Sequence, residues 1–438
     1  MDRVTDRAPS SPPSPAEPPS EAARPLLAPL LSAEGQALLA ELRDHDPAGE
    51  LALATRLRRD HPAELVSAAL AQARLRQRAV AKFGADDAYR MYFTPHGVEQ
   101  ATRSSVAAHR AARLVALTRA TPGRAVRVTD LCCGIGGDAI ELARAGFAVT
   151  AVDIDPLTCE IARTNVRTLA PGGPPATVTR ADVRKYDTAG AEVLFIDPAR
   201  RGGRGRIFNP EAYSPPLSWA IEAVRRVGTG AVKIAPGIPH ELVPDDFEAE
   251  WISDGGDVKE AVLWHHPAVV PGTRRATLLT PAPVTLTGRG LPDPPVRPAG
   301  RYLYEPDGAV IRAHLVAEVA EELAGGLLDA TIAYITADEA RETPYATAYE
   351  ITDELPFSLK RLKALLRERE VGVLTVKKRG SAVEPEELRR RMKLKGPHAA
   401  TVFLTRVAGA PTMLLGHPVS RPDRTAGTAQ ARSVSSSA

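Results

Sequence analysis

The stretch DLCCGIGGDAI, Asp130 to Ile140, sets two cysteines against three glycines between acids. A zinc or dithiol site needs Cys-x-x-Cys spacing or paired clusters, and Cys132 and Cys133 are adjacent, so no metal is expected here. The glycines say more. They follow the apolar run AVRVTDL and open the amphipathic run GDAIELARAG, a strand-to-helix turn in which a ligand can approach backbone amides at a helix N-terminus. Two cofactors use such a turn. Gly134-x-Gly136-x-x-Ala139, with Asp153 nineteen residues after Gly134, satisfies the dinucleotide pattern, in which the acid holds a ribose. Asp130, four residues before Gly134, would instead suit a cation. S-adenosylmethionine carries an ammonium and a sulfonium, whereas a dinucleotide would bring its pyrophosphate towards that carboxylate.

The elements that must position these residues follow from hydrophobic periodicity. From Leu26 to about Arg90 apolar residues recur at helical spacing, which predicts a helical module over 26–90. From about 124 to 280, short apolar runs (AVRVTDL, FAVTAVD, ATVTRAD, AEVLFID, GAVKIA) alternate with amphipathic ones. That is the pattern of a parallel sheet covered on both faces. EAVLWHH and RATLLT read as antiparallel edge strands. After the proline-rich LPDPPVRPAG comes a second α/β block over 300–416, with AVIRAHLVAEVAEELAG and PFSLKRLKALLRERE as helices and ATIAYIT, VGVLTVKK, ATVFLTRV and PTMLLG as strands. Residues 1–25 and 417–438, rich in Pro, Ser and small polar residues, are expected to be disordered.

The segment VTDLCCGIGGDAIELARAGFAVTAVDIDPLTCEIARTNV resembles the first two motifs of class I S-adenosylmethionine-dependent methyltransferases, especially RNA guanine methyltransferases of the trimethylguanosine-synthase type. RMYFTPHGVEQAT resembles the segment that precedes those motifs and runs over the cofactor. The resemblance implies a Rossmann-like class I methyltransferase sheet over 91–285. It also implies that Asp130 and the backbone of Gly134, Gly136 and Gly137, with Cys132 in the same loop, hold the methionine part of S-adenosylmethionine. By the same resemblance Asp153 binds the ribose hydroxyls, Ile154 packs on adenine, Asp182 accepts from the adenine amino group and Thr94 closes the pocket.

FIDPARRGGRGRIFNP, Phe195 to Pro210, occupies the position where aminomethylating enzymes carry Asp/Asn/Ser-Pro-Pro-aromatic. In those enzymes the polar side chain and the proline carbonyl accept from the target amine while the aromatic stacks on the base. Asp197 and Pro198 match; Ala199 and Arg200 depart. Uracil C5 methyltransferases carry Asp-Pro-Pro-Arg but also need a downstream cysteine nucleophile, and this chain has no cysteine after Cys159. Direct transfer to nitrogen or oxygen is therefore expected, with Asp197, Pro198 and Arg200 as catalytic residues. Arg201 and Arg204 in the glycine-rich loop, and Lys233 at the end of the fifth predicted strand, are placed against the substrate. Lys377 and Lys378 open a basic strand and helix that could face phosphates. The 300–416 block resembles the THUMP-like domain of bacterial class I methyltransferases, which implies structured RNA, such as tRNA or rRNA, as partner and substrate. A methyltransferase for a small molecule and a non-catalytic RNA binder are the alternatives.

Composition bounds these readings. The chain has 438 residues, 44% of them hydrophobic, enough for two or three domains. A net charge of +3 does not by itself imply nucleic acid. Three cysteines, all within 132–159, form no disulfide framework and point to a reducing, cytoplasmic compartment. The N-terminus has no apolar signal region, and no apolar run of membrane-spanning length occurs, so no membrane partner is expected.

Overall fold

The computed structural model describes residues 24–118, 124–202, 205, 206, 209–280 and 282–419, with side chains omitted for 24–26 and 201–206. The expectation of disorder at 1–25 and 417–438 lies almost wholly outside these residues. At its inner margins a helix occupies Arg24–Leu31 and the last strand runs to Pro418. The chain divides into two compact units, one of residues 1–248 and 261–271, the other of 249–260 and 272–438.

The first unit begins with helices Arg24–Leu31, Ala33–Glu41 and Glu50–Leu57 and the long α1, Ala63–Ala88. The stripe Leu65, Ala69, Ala73, Arg76, Ala79 and Phe83 buries one face of α1, at the three-to-four-residue spacing of a helix. Its alanines let neighbours approach closely. Two further helices follow, α2 (Pro95–Gln100) and α3 (Ser104–Thr118). The sheet then alternates with helices: β1 (Arg127–Leu131), α4 (Gly137–Arg144), β2 (Ala148–Asp153), α5 (Pro156–Leu169), β3 (Ala176–Arg180), β4 (Val193–Ile196), α6 (Leu217–Val227) and β5 (Gly230–Ile234). Spatial order is β3-β2-β1-β4-β5, all parallel, so the chain reverses direction across the sheet at β1. That switch point opens a crevice at the carboxyl ends of the strands, where ligands of such sheets bind.

β6 (Asp257–His265) lies antiparallel to β5 through Ala261–His265. EAVLWHH is thus antiparallel as expected, but it is a buried strand, with Ala261 to Trp264 inaccessible. RRATL (Arg274–Leu278), which holds most of RATLLT, corrects the expectation more fully: it pairs parallel to Ala249–Ser253 on one side and antiparallel to Val284–Thr287 on the other. The strand Glu248–Asp254 was hidden in the sequence because Glu248 and Glu250 occupy inward positions. Glu248 is paired with Arg113, and Glu250 accepts from the Thr277 hydroxyl.

The second unit contains a seven-stranded sheet ordered 326–329, 332–337, 302–306, 346–356, 410–418, 398–407 and 371–378. Its last pair is parallel and the others antiparallel. Helices Leu359–Glu368 and Pro385–Met392 cover one face through Leu362, Leu366, Leu388 and Met392. Tyr334, Tyr349 and Phe403 form edge-to-face contacts in the core of the other. The single helix expected over AVIRAHLVAEVAEELAG is two, Gly308–Arg312 and Val316–Glu322. His314 turns the chain between them with φ +57°, at a place with no glycine or proline to signal it.

One buried side chain sets the sheet against what precedes it. Asn165, on the inward face of α5, accepts from the Tyr92 amide (2.8 Å) and donates to the carbonyls of Tyr92 and Ile135 (3.0 Å each). Asn165→Leu would leave three buried backbone groups without this partner, at about 1–3 kcal/mol each. A loss of about 3 kcal/mol or more is expected in urea unfolding of the first unit; unchanged stability would mean that Met91–Phe93 is held by other contacts.

Candidate active site

β1 ends at Asp130-Leu131, and from Cys132-Cys133-Gly134 onward the chain must turn tightly into α4. Cys132, Gly134 and Gly136 take left-handed backbone conformations (φ +63°, +56° and +85°). Gly136 is the residue that precedes α4, and a Cβ there would lie 3.3 Å from Ala162 on α5. Only glycine accommodates both the φ and the close helix. The loop lines a cavity of about 410 Å³ together with Thr94, Asp153, Asp197 and Lys233, each from a different element.

The acids around this cavity are held in different ways. Asp153, at the end of β2, accepts from the amides of Gly134 and Asp155 (3.0 Å each). Burial nonetheless raises its pKa, against the lowering effect of those amides. Asp138, in the first turn of α4, pairs with the buried Arg110, whose guanidinium stacks over Phe195. Asp197, after β4, accepts from Lys233 Nζ at 2.6 Å. Asp130 is fully buried and neither carboxyl oxygen has a hydrogen-bond partner among the described residues. Burial first, then the carboxylates of Asp138 and Asp197, push its pKa well above the usual range, with Arg110 opposing. Asp130 does not itself line the cavity, and an unpartnered buried carboxylate is costly to ionise unless a cation joins it.

The thiols offer no nucleophile. Burial, reinforced by nearby carboxylates, raises Cys132 and Cys133 well above the ordinary thiol range, and burial raises Cys159 to about 11. All three stay protonated at neutral pH. Among the described residues no cluster of His, Cys, Asp and Glu could hold a metal ion, and no helix is long and apolar enough to cross a membrane.

The other sequence-predicted residues divide. Thr94 lines the cavity and caps α2, accepting from the Gly97 amide at 2.9 Å. Ile154, 62% exposed, presents an apolar side chain just beyond Asp153. Pro198 and Arg200 line the cavity, and Arg200 Nη1 is buried without a hydrogen-bond partner among the described residues. Gly137 also lines it. Asp182 does not: it takes the backbone and guanidinium of Arg184, two residues away, and this ion pair holds its pKa low. Lys233 is not an open substrate contact, because its buried ammonium is shared between Asp197 and the Thr102 hydroxyl (2.8 Å). Arg204 lies outside the described residues, and of Arg201 only the backbone is described, paired with Arg206 in a short hairpin.

In the second unit Lys377 is bonded to Glu305 and stands over the Tyr349 ring, and Lys378 is bonded to Glu384. Glu384 is one of the acids of the neighbouring EPEELRRR, six residues on, but Glu305 lies 72 residues away on another strand, so the basic run overstated the available charge. Arg379, Arg389 and Arg391 also have carboxylate partners; among the described residues Arg390, Lys393 and Lys395 have none. Sequence reasoning missed His96 and Gln100, which line the cavity from α2. Their signal was the helical spacing after Thr94-Pro95, which puts them on the one short helix beside the glycine loop.

Residues 128–196 match the model of a methyltransferase domain, residues 346–418 that of a THUMP domain-like family, and residues 24–79 that of a domain of unknown function, DUF8688. Uncharacterized S-adenosylmethionine-dependent methyltransferases of Mycobacterium tuberculosis, from strains CDC 1551 / Oshkosh and H37Rv, are each 34% identical over 357 residues, 80% of this chain and 95% of theirs. The chain belongs to the S-adenosylmethionine-dependent methyltransferases. The fold is shared with a methyltransferase crystal structure from Porphyromonas gingivalis W83, at TM-score 0.71 and 21% identity over 88% of this chain and 98% of that one. The dinucleotide reading of the glycine loop is thereby set aside. S-adenosylmethionine supplies an electrophilic methyl group when bound. Its ammonium would find a carboxylate of opposite charge in Asp130, whose oxygens are unpartnered among the described residues although the side chain does not itself line the cavity. The Asp153 carboxylate, which does line it, would suit hydroxyl donors.

This fit has a pH signature. The folded pKa of Asp130 lies above its unfolded value of about 3.9, so its ionisation costs stability when no cation is present. The penalty is absent below the unfolded pKa, grows as pH rises between the two values, and is complete above the folded one. Asp130→Asn is expected to melt higher than the wild type at neutral pH without cofactor, with the gap closing towards about pH 4, and to lose the stabilisation given by S-adenosylhomocysteine. An undiminished melting shift with that ligand would remove Asp130 from the site.

Proposed function

We propose that this methyltransferase modifies a nitrogen, or an oxygen, of structured RNA such as tRNA or rRNA, by direct transfer without a cysteine nucleophile. The observation that carries the chemistry is the Asp197 carboxylate, which lines the cavity beside Pro198 with one oxygen fixed by buried Lys233. Asp197 and the Pro198 carbonyl would accept from the target N–H or O–H and align it, since transfer of an electrophilic methyl group needs alignment and proton removal above all. Arg200, with a buried guanidinium nitrogen that no described residue bonds, would donate to an acceptor on the substrate. In this reading Asp130, Cys132 and the Gly134, Gly136 and Gly137 backbone hold the methionine part, Asp153 the ribose and Ile154 the adenine, while Thr94 closes the cavity. Asp182 would have to leave Arg184 to reach the adenine amino group. The protonated thiols support transfer without a covalent enzyme intermediate.

RNA as substrate rests on the THUMP domain-like match at 346–418 and on the arginine-rich loop after Asp197. The working organisation is a helical module at 26–90, a catalytic domain at 91–285 and a THUMP-like domain at 300–416, acting in the cytoplasm. The internal pairing of Lys377 and Lys378 favours one other reading, a small-molecule acceptor.

Transfer of label from methyl-tritiated S-adenosylmethionine into total RNA from cells lacking the gene separates the two. Nuclease-sensitive label is expected, and digestion to nucleosides then names the atom. No label in the RNA, with label appearing in the small-molecule fraction of an extract of the same cells, would overturn the RNA reading. Asp197→Ala is expected to bind S-adenosylhomocysteine as the wild type does and to transfer about 100-fold more slowly or worse; wild-type transfer by this variant would remove Asp197 from the chemistry.

A further inference from the structure

None of the described residues in 24–79 lines the cavity, yet side chains from this span hold the segment that forms one of its walls. Gln72, on α1, donates through Nε2 to the Phe93 carbonyl (2.7 Å) and accepts at Oε1 from the Phe93 amide (3.1 Å). Its carboxamide thus pairs both backbone groups of one residue, as a neighbouring strand would. Arg76, 5% exposed, donates from Nε to the Met91 carbonyl (2.9 Å) and stacks its guanidinium over the Tyr92 ring at 4.9 Å. Gln36 donates to the Tyr92 hydroxyl. Farther along α1, Lys82 donates to the carbonyls of Glu99 and Ala101 (2.7 and 2.8 Å), and Phe83 packs where Gly137 lacks a side chain.

The held segment leads directly into the cavity wall. Thr94, His96, Gly97 and Gln100 follow Phe93 and line the cavity, and a Cβ on Gly97 would fall 2.5 Å from Ile135 Cγ2 in the glycine loop. A wall this close to the loop must be held in place to leave room for a ligand while still touching it.

We infer that the module matching the domain of unknown function is the clamp of the cofactor cavity, with Gln72 and Arg76 acting as positioning residues for the Thr94–Gln100 wall. The Met91–Phe93 backbone lies in neither helix nor strand, so without side-chain partners it has no ladder to order it. Releasing it lowers the fraction of molecules whose wall is in the binding arrangement, and apparent affinity falls by that fraction. The module then contributes to cofactor affinity without touching the cofactor, whatever the methyl acceptor is.

The test uses the full chain and S-adenosylhomocysteine as ligand. Gln72→Leu should weaken its binding by about tenfold in calorimetry, the fall expected if the wall is ordered in about one molecule in ten. Gln72→Glu, which can still accept from the Phe93 amide but cannot donate, should fall between the two. In the wild type the ligand should slow hydrogen exchange of backbone amides within 66–79, which a merely structural contact would not link to occupancy. Gln72→Leu with a lowered melting temperature but unchanged affinity, or a wild type without ligand-dependent protection in 66–79, would overturn the clamp. If Gln72→Leu does not fold, the wild-type exchange measurement decides alone.

Discussion

Met91–Phe93 is buried backbone that belongs to no sheet, and the pocket is built around the need to satisfy it. Buried amides and carbonyls must find partners. Here those partners are the side-chain amides of Gln72 on one side and Asn165 on the other, with Arg76 and the Asp87 carbonyl serving Met91. Because Asn165 also bonds Ile135, the same few contacts fix the glycine loop, the Thr94 wall and the long helix to one another. The spacing of the cavity walls is therefore decided some distance from the cavity itself.

Electrostatics within the site follows a second pattern, in which each acid has its own solution. Asp138 has Arg110, Asp197 has Lys233 and Asp153 has backbone amides. Asp130 has no hydrogen-bond partner among the described residues and only the charge of Arg110 to offset its burial, although it is the most deeply buried of the four. A polypeptide folds with such a group only if the cost is small against its total stability or if something else completes it. Lys233 shows the complementary case. A buried cation between an acid and a hydroxyl restricts which carboxylate oxygen remains available, which turns a flexible acceptor into a directed one.

Strand-helix alternation and the glycine turn made the parallel sheet legible, because β1, β2, β4 and β5 are apolar runs ended by Asp130, Asp153, Asp197 and Lys233. The cofactor class was legible from the same residues, through a carboxylate where a dinucleotide would need none. What escaped depends on distant partners. Glu248 and Glu250 disguised a buried strand because their counter-groups, Arg113 and Thr277, lie far along the chain. Lys377 looked available because Glu305 is 72 residues away. Gln72 and Asn165 looked like ordinary helix residues, since nothing local says that their amides will replace a β-ladder.

The division of the chain has a bearing on its synthesis. The first unit takes its last strand, Ala261–His265, only after the chain has left to begin the second unit at Ala249. Until those residues emerge from the ribosome, β5, whose five residues are all buried in the finished protein, has one edge unpaired. A bare apolar strand edge is a template for misassembly with other chains. The nascent protein thus passes through a window in which its catalytic sheet is nearly complete and most exposed to aggregation, and the arrival of one antiparallel strand closes it.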